Sequence, residues 1–241
     1  MRIAGTPRWL FGSLMLFLLA AGLATAQPSR APLQLSTTAD AIALAPALGY
    51  RIDSQAADGA SEAFARVDRG EFLAIPGGDP SFGFRKEAFW FHAKVVNLHP
   101  DEPRWMLVQE YALSDLLDLY ARYPDGRIVH LAGGDHHPFD LRAVRYRHPN
   151  FQLDLPTGQP VDLLLRVQSE SSMQVPLMLY TPRAFAELMR DAQFATGLYY
   201  GIVLALLIYN LVLWVMLRDH SYLWYLLHVA AFGLVLFTLN G

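Results

Sequence analysis

The chain has no cysteine in 241 residues. Disulfide scaffolds, thiolate metal sites and cysteine nucleophiles are therefore excluded, and any exported domain must be held by its own core. Charge is also scarce, at 17% of residues against about 25% for an ordinary soluble domain. The deficit lies at the two ends. With a net charge of −3 and no basic surplus, nothing favours nucleic acid as a partner. Hydrolase signatures such as GxSxG and HExxH are missing. Ser114-Asp115 and Ser169–Ser172 have no base at a recognisable spacing, and Asp101-Glu102 falls in a solvated turn. The expectation is no enzyme and no cofactor.

What is abundant is apolar sequence. Ala195–Leu217 runs without a charge. As a helix it spans roughly 34 Å, enough for a hydrocarbon core of about 30 Å. In the bilayer only an internally hydrogen-bonded helix satisfies such a lone run; a buried helix of a soluble protein is the alternative. Tyr222–Leu239 is a second apolar run, interrupted by His228. Between the two lies the polar turn Arg218–Ser221. This predicts two antiparallel transmembrane helices, 195–217 and 222–239, with a cytoplasmic turn. Thr181-Pro182 supplies an N-cap and a proline at the first helical position. A juxtamembrane helix over 182–194 then continues without a breaker into the first span.

The amino terminus carries Arg2 and Arg8, the apolar run Trp9–Leu23 and the small-x-small site Ala24-Thr25-Ala26. This is the pattern of a secretory signal peptide, 1–26. A retained anchor is the alternative, and the following segment is exported either way.

Residues 27–181 then form the exported domain. Ser61–Arg69 reads as a short helix ending at Gly70. After Pro76–Pro80 the period becomes two. Phe89, Phe91, Ala93 and Val95 alternate with Trp90, His92, Lys94 and Val96, as in a half-buried strand. Further strands read over Trp105–Tyr111, Leu116–Tyr123 and Arg127–Leu131, the last two joined by the turn Pro124-Asp125-Gly126. Others follow at Phe151–Leu155, Val161–Gln168 and Gln174–Tyr180. Strands so spaced, without helices between them, predict a mainly β antiparallel sandwich of two sheets.

Several stretches resemble a known family, the bacterial seven-transmembrane receptors with diverse intracellular signalling modules. They are Gly197–Gly201, Tyr209-Asn210, Leu217–Asp219 and Ser221–Tyr225 around the membrane junction. Upstream, Phe89–Phe91 with Asn97, Leu165–Ser169 and Val175–Leu177 look like parts of that family's type-2 extracellular domain. The resemblance implies a jelly-roll-like sensory domain for a small-molecule or carbohydrate ligand, standing outside the bacterial inner membrane. In the family, seven membrane helices and a signalling output follow. This chain stops after two helices, so a fragment, a truncated reading frame or a degenerate copy is expected.

Jelly rolls that bind sugars set aromatic platforms beside polar side chains. Trp105, Tyr111, Tyr120, Arg145, Tyr146, Arg147 and His148 are the candidates here, with Arg145–His148 foremost because it places cations and an aromatic in a loop. Core packing and solvated arginines are the competing explanation. His130, His136, His137 and His148 lie in one segment near Asp135, but without metal-ligand spacing, and no metal is expected. Gly133-Gly134-Asp135 has no functional reading. Gly197 and Gly201 form a GxxxG pair that packs the first helix against others or pairs protomers as a homodimer. Asn210, deep in that helix, requires a partner, expected on another helix. The leading reading is a ligand-sensing receptor input module. The rival is a membrane-tethered binding or structural module of the envelope without signalling, and an envelope hydrolase is third.

Overall fold

A computed structural model of the chain describes residues 31–75, 78, 80–138 and 142–239. The expected signal peptide, 1–26, lies outside them. The strands are β1 (Leu33–Leu35), β2 (Ala41–Ala43), β3 (Gly49–Asp53), β4 (Leu73–Ala74), β5 (Ser81–Phe84), β6 (Ala88–Asn97), β7 (Arg104–Gln109), β8 (Leu116–Arg122), β9 (Ile128–Gly133), β10 (Asn150–Asp154), β11 (Pro160–Gln168), β12 (Ser172–Gln174) and β13 (Leu177–Tyr180). The helices are α1 (Ala60–Asp68), α2 (Pro182–Leu217) and α3 (His220–Leu239).

Alternation decides the first sheet. Phe89, Phe91, Ala93 and Val95 of β6 are buried on one side, with Leu117, Leu119 and Ala121 of β8 and Val161, Leu163, Leu165 and Val167 of β11. The strand order is β4-β3-β6-β11-β8-β9. A seventh strand, β1, joins β6 in parallel, Leu33 opposite Val95; the other pairs of this sheet are antiparallel. The second sheet has the order β10-β7-β13-β2 and is antiparallel. Its Trp105, Leu107, Leu153, Leu177 and Leu179 meet the first sheet in one apolar cluster. The domain is therefore a sandwich, with its core between the two inner faces.

The stretch expected as one strand from Gln174 to Tyr180 divides. Ser172–Gln174 pairs with β5, and Leu177–Tyr180 pairs with β7 and β2. Pro176 stands between them. It has no N–H to give a ladder, and its carbonyl accepts from Glu110 N at 2.9 Å as the chain changes sheet.

Each sheet also has a covered outer face. Ala63 and Phe64 of α1 pack with Phe72, Trp90 and Leu164 on the first. Arg122 fastens that helix to the sheet, its guanidinium 2.7 Å from Asp68 and 2.9 Å from Asp162. The start of α2 covers the second, where Phe185, Leu188, Met189 and Ala192 cluster with Met106, Val108, Tyr146, Met178 and Tyr180.

Thr181 caps α2, its hydroxyl oxygen accepting from Ala184 N at 3.3 Å. The helix then runs unbroken for 36 residues, about 54 Å at 1.5 Å per residue. It ends where Arg218 adopts a left-handed conformation, φ 53°, and bonds back to Trp214 O. α3 returns alongside, with Tyr200 and Phe237 6.1 Å apart and Gly233 against Val203. Both helices are long and apolar enough to cross a membrane, with mean hydropathy 2.3 and 1.6. Their leucines, valines and aromatics are largely exposed, a surface that water does not tolerate and lipid does.

Candidate functional site

On the outer face of the first sheet, the register of β11, β8 and β9 sets Arg166 beside Asp118, and Tyr120 beside His130. The Tyr120 and His130 rings stack, centroids 4.4 Å apart at 8°. His130 Nε2 lies 2.8 Å from an Asp118 oxygen, and Arg166 reaches the other at 3.9 Å. Arg166 also donates to Gln168 at 3.0 Å. Burial, and next the Asp118 charge, push the Tyr120 hydroxyl pKa up. The result is a strip of stacked rings flanked by a carboxylate, a guanidinium and an amide.

Gln168 carries the strip into a cleft of about 250 Å³, which Lys86, Asp115, Leu116, His136, Ser169 and Glu170 complete. Asp115 organises it. One carboxylate oxygen accepts from Ser169 Oγ at 3.1 Å and from Glu170 N at 2.5 Å. Ser169 Oγ is also 3.2 Å from Leu113 O and 2.9 Å from Ser171 Oγ. Ser169, far from Asp115 in the chain, thus bonds its carboxylate, whereas the Ser114 hydroxyl turns away and accepts from Gln109 Nε2 at 2.8 Å. Ser169 is buried, and these partners fix its place in the turn. The cleft wall closes because Gly134, at φ +101°, lies directly on the Asp115 backbone. This brings Asp135 N to Ser114 O and His136 N to Asp115 O at 2.9 and 3.0 Å. Gly133-Gly134 is therefore a close-approach device.

A second cluster lies where α2 leaves the sandwich. Asn150 fixes the loop before β10: its Oδ1 accepts from Val144 N, and its Nδ2 donates to Val144 O and His148 O, at 2.8–3.0 Å. Arg142 donates to Tyr146 O and Arg147 O at 2.6 and 2.9 Å. The Tyr146 ring thereby packs edge-on against Phe185 and His148. Tyr180 OH donates to Glu110 at 2.5 Å; burial, and then that bond, raise its pKa. Burial, and next the Arg147 charge, lower the pKa of His148. Asp135, its pKa raised by burial, lies 3.8 Å from Arg142 and so links the cleft loop to this one.

The seven ligand candidates therefore fall in four places. Trp105 is 0% exposed inside the sandwich core, where no ligand reaches it. Tyr111 is half-buried in the β7–β8 connection. Tyr120 belongs to the strip. Arg145, Tyr146, Arg147 and His148 share the loop that grips α2, with Tyr146 buried there. In the membrane part, a side chain at Gly197 or Gly201 would meet no atom outside its own helix, and the α2–α3 contact falls at Val203 and Gly233. Asn210 donates to Leu206 O of its own helix at 2.8 Å, not to the other helix as expected. Asp115, Asp118, His130, His136, Arg166 and Gln168 were outside the expected ligand set. Alternation alone places Asp118, Tyr120 and Arg166 on outward faces, but only the sheet order makes them neighbours. Among the described residues, no group of three or more His, Asp or Glu is placed to hold a metal ion.

The site thus stands on a β-sandwich that runs continuously into helices long and apolar enough to cross a membrane, the architecture of a membrane-anchored domain. Residues 45–181 match the family described as 7TMR-DISM extracellular 2, and residues 192–241 match 7TM diverse intracellular signalling. The first match covers more than half of the chain, and the chain belongs to that family of seven-transmembrane receptors. No curated protein matches it. Among solved structures, a Bacteroides fragilis protein provisionally named a beta-galactosidase is similar at TM-score 0.35 and 10% identity. That alignment covers 58% of this chain and 23% of the other, and it is too remote to bear on the site.

Proposed function

We propose that the chain senses a small polyhydroxylated ligand, of the carbohydrate class, outside the bacterial inner membrane. It does so without catalysing a reaction on the ligand. The strip and cleft supply what such a ligand needs: a stacked aromatic surface for its apolar face, and carboxylate, guanidinium and amide groups for its hydroxyls. The observation that carries the signalling part is the bridge from Asp135 to Arg142, and from the Arg142 loop to Phe185 of α2. A ligand that closes the cleft loop moves the group holding the base of the membrane helix. It shifts that helix only by its difference in affinity between two loop arrangements.

The test is a thermal-shift screen of the full chain in nanodiscs against mono- and oligosaccharides, with amino acids and dicarboxylates as comparison classes. A ligand of the folded state at 100 times its Kd adds about 2.7 kcal/mol. The expected result is a saccharide-dependent rise in melting temperature that Tyr120→Ala and Asp118→Ala abolish. A rise with amino acids or dicarboxylates alone would overturn the ligand class. A rise that both variants leave intact would overturn the site.

A further inference from the structure

The direction of α2 fixes which end of the sandwich faces the membrane. β13 enters α2 at Thr181, where Tyr180 pairs with Met106. Val144 and Tyr146 belong instead to the loop entering β10 at Asn150, which pairs with Val108 further along β7. Leu188, Met189 and Ala192 pack in the cluster containing these residues. The helix therefore runs back along β13 toward the end that carries the β5–β6 turn, the β7–β8 connection and residues 142–149.

Little helix remains between that end and the hydrocarbon. Ala192 is the last α2 hydrophobic packed on the domain, the apolar run Ala195–Leu217 opens three residues on, and Tyr199-Tyr200 follow, residues of the type that settles at the membrane interface. From Ala192 these positions are about 5 and 10 Å along the axis, whereas the headgroup layer on one side of a bilayer is about 5–8 Å deep. The helix is unbroken across the interval, so no hinge lifts the domain clear.

That end is built for contact. Phe84 is 83% exposed and Leu113 47%. They lie on neighbouring segments: Ser172 pairs with Phe84, and Ser171 Oγ donates to Leu113 O. Arg85 and Lys86 follow Phe84 and are exposed, Arg85 with Glu87 3.7 Å away. Arg145 and Arg147 are exposed on the loop that grips α2. Acids stand among them: Asp115 is held by Ser169 and the Glu170 backbone, Glu110 by Tyr180 and Asp135 by Arg142, while the Glu170 side chain is exposed beside Lys86 at the cleft.

We propose that this end of the sandwich docks on the phospholipid headgroups. Phe84 and Leu113 enter the interface, and Arg85, Lys86, Arg145 and Arg147 meet lipid phosphates. The occupant is the bilayer because the same chain inserts into it within three to seven residues of the docked end. The contact holds the cleft at the membrane surface and gives α2 a fixed reference against which to move.

The absence of native cysteine makes the test direct, since a single introduced cysteine takes a label alone. Phe84→Cys and Asp125→Cys, the latter in the turn at the opposite end, are each labelled with an environment-sensitive fluorophore. The full chain is then placed in phosphatidylcholine–phosphatidylglycerol nanodiscs containing nitroxide lipid. The expected result is a blue-shifted label at 84 that the nitroxide quenches, and an unshifted, unquenched label at 125. Adding Arg85→Glu and Lys86→Glu weakens the quenching at 84. Equal quenching at the two sites overturns the proposal. So does a label at 84 that stays shielded in detergent without lipid and transfers energy to a second labelled copy, because a protein partner then covers the end.

Discussion

Tyr146 meets Phe185 edge to face, with ring centroids 5.4 Å apart at 88°. One ring belongs to a loop of the exported sandwich and the other to the helix that crosses the membrane. Phe185 is 2% exposed and also faces Tyr180, so it anchors α2 to the second sheet. Phe185→Ala removes that anchor at a cost of about 3–5 kcal/mol, the usual range for a buried phenylalanine. Amide exchange over residues 142–150 should accelerate while α2 and α3 stay protected in the bilayer. Unchanged exchange in the loop would show that the helix and the sandwich are held together elsewhere.

Asn150 gives a sharper test of the same junction. Its amide donates to two carbonyls, and its oxygen accepts from one N–H, in a buried position. Asn150→Asp keeps the shape and reverses the role of the nitrogen, so a carboxylate faces Val144 O and His148 O without a proton to give. Unsatisfied buried groups of this kind cost about 1–3 kcal/mol, and more when charged. The domain's melting temperature should fall at pH 7 and recover in part in acid, as the carboxyl takes up a proton. Asn150→Asp melting with the wild type at every pH would refute the clamp.

The two apolar spans and the strands from β6 onward were legible because their periods are simple, whereas β1–β5, two to five residues each, are too short to show one. Phe89, Phe91, Ala93 and Val95 report an inner face, and Ala195–Leu217 reports a bilayer. Trp105–Val108 carried a further signal, an apolar run without alternation, which marks a strand covered on both faces. Trp105 and Leu107 face the core, and Met106 and Val108 face α2. The site was harder to see. Asp115 and Ser169 meet across 54 residues of chain, and nothing local specifies that encounter. Arg145–His148 looks like a binding loop because cations in loops usually face a ligand or solvent. The α2 cluster that buries Tyr146 between them becomes visible only when the helix folds back.

Asp162 sets a pH dependence. Burial alone would raise its pKa. Hydrogen bonding to His92 and the His92 charge, then Arg122 and Lys94, outweigh burial and hold it at about 2. The unfolded value is near 3.8. A folded pKa below the unfolded one adds stability that is complete above about pH 5 and is lost as pH falls toward 2. A shift of this size corresponds to about 2 kcal/mol. Acid unfolding followed by circular dichroism should show the loss in the wild type, and Asp162→Asn should flatten that part of the curve while lowering stability at pH 7. A variant whose acid limb is as steep as the wild type's would mean that other carboxylates carry the transition.

Gly134 separates conformational strain from contact. At φ +101° it occupies a region that side chains disfavour, and an added Cβ would stand 2.4 Å from Asp115 O and 2.8 Å from Asp115 C. Both atoms are backbone, so no rotamer change relieves the clash, and the 134–137 loop must lift from Asp115. Gly158 is the control, since its φ is also positive, at +72°, but its Cβ would meet nothing within 4 Å. Gly158→Ala therefore costs only the left-handed conformation, about 1–2 kcal/mol. Gly134→Ala costs that and the bonds from Asp135 N and His136 N as well. Its expected signature is the larger fall in melting temperature, with exchange of the Asp135 and His136 amides becoming fast. Equal effects of the two substitutions would mean that the loop accommodates the methyl group, and that the cleft wall does not depend on its approach to Asp115.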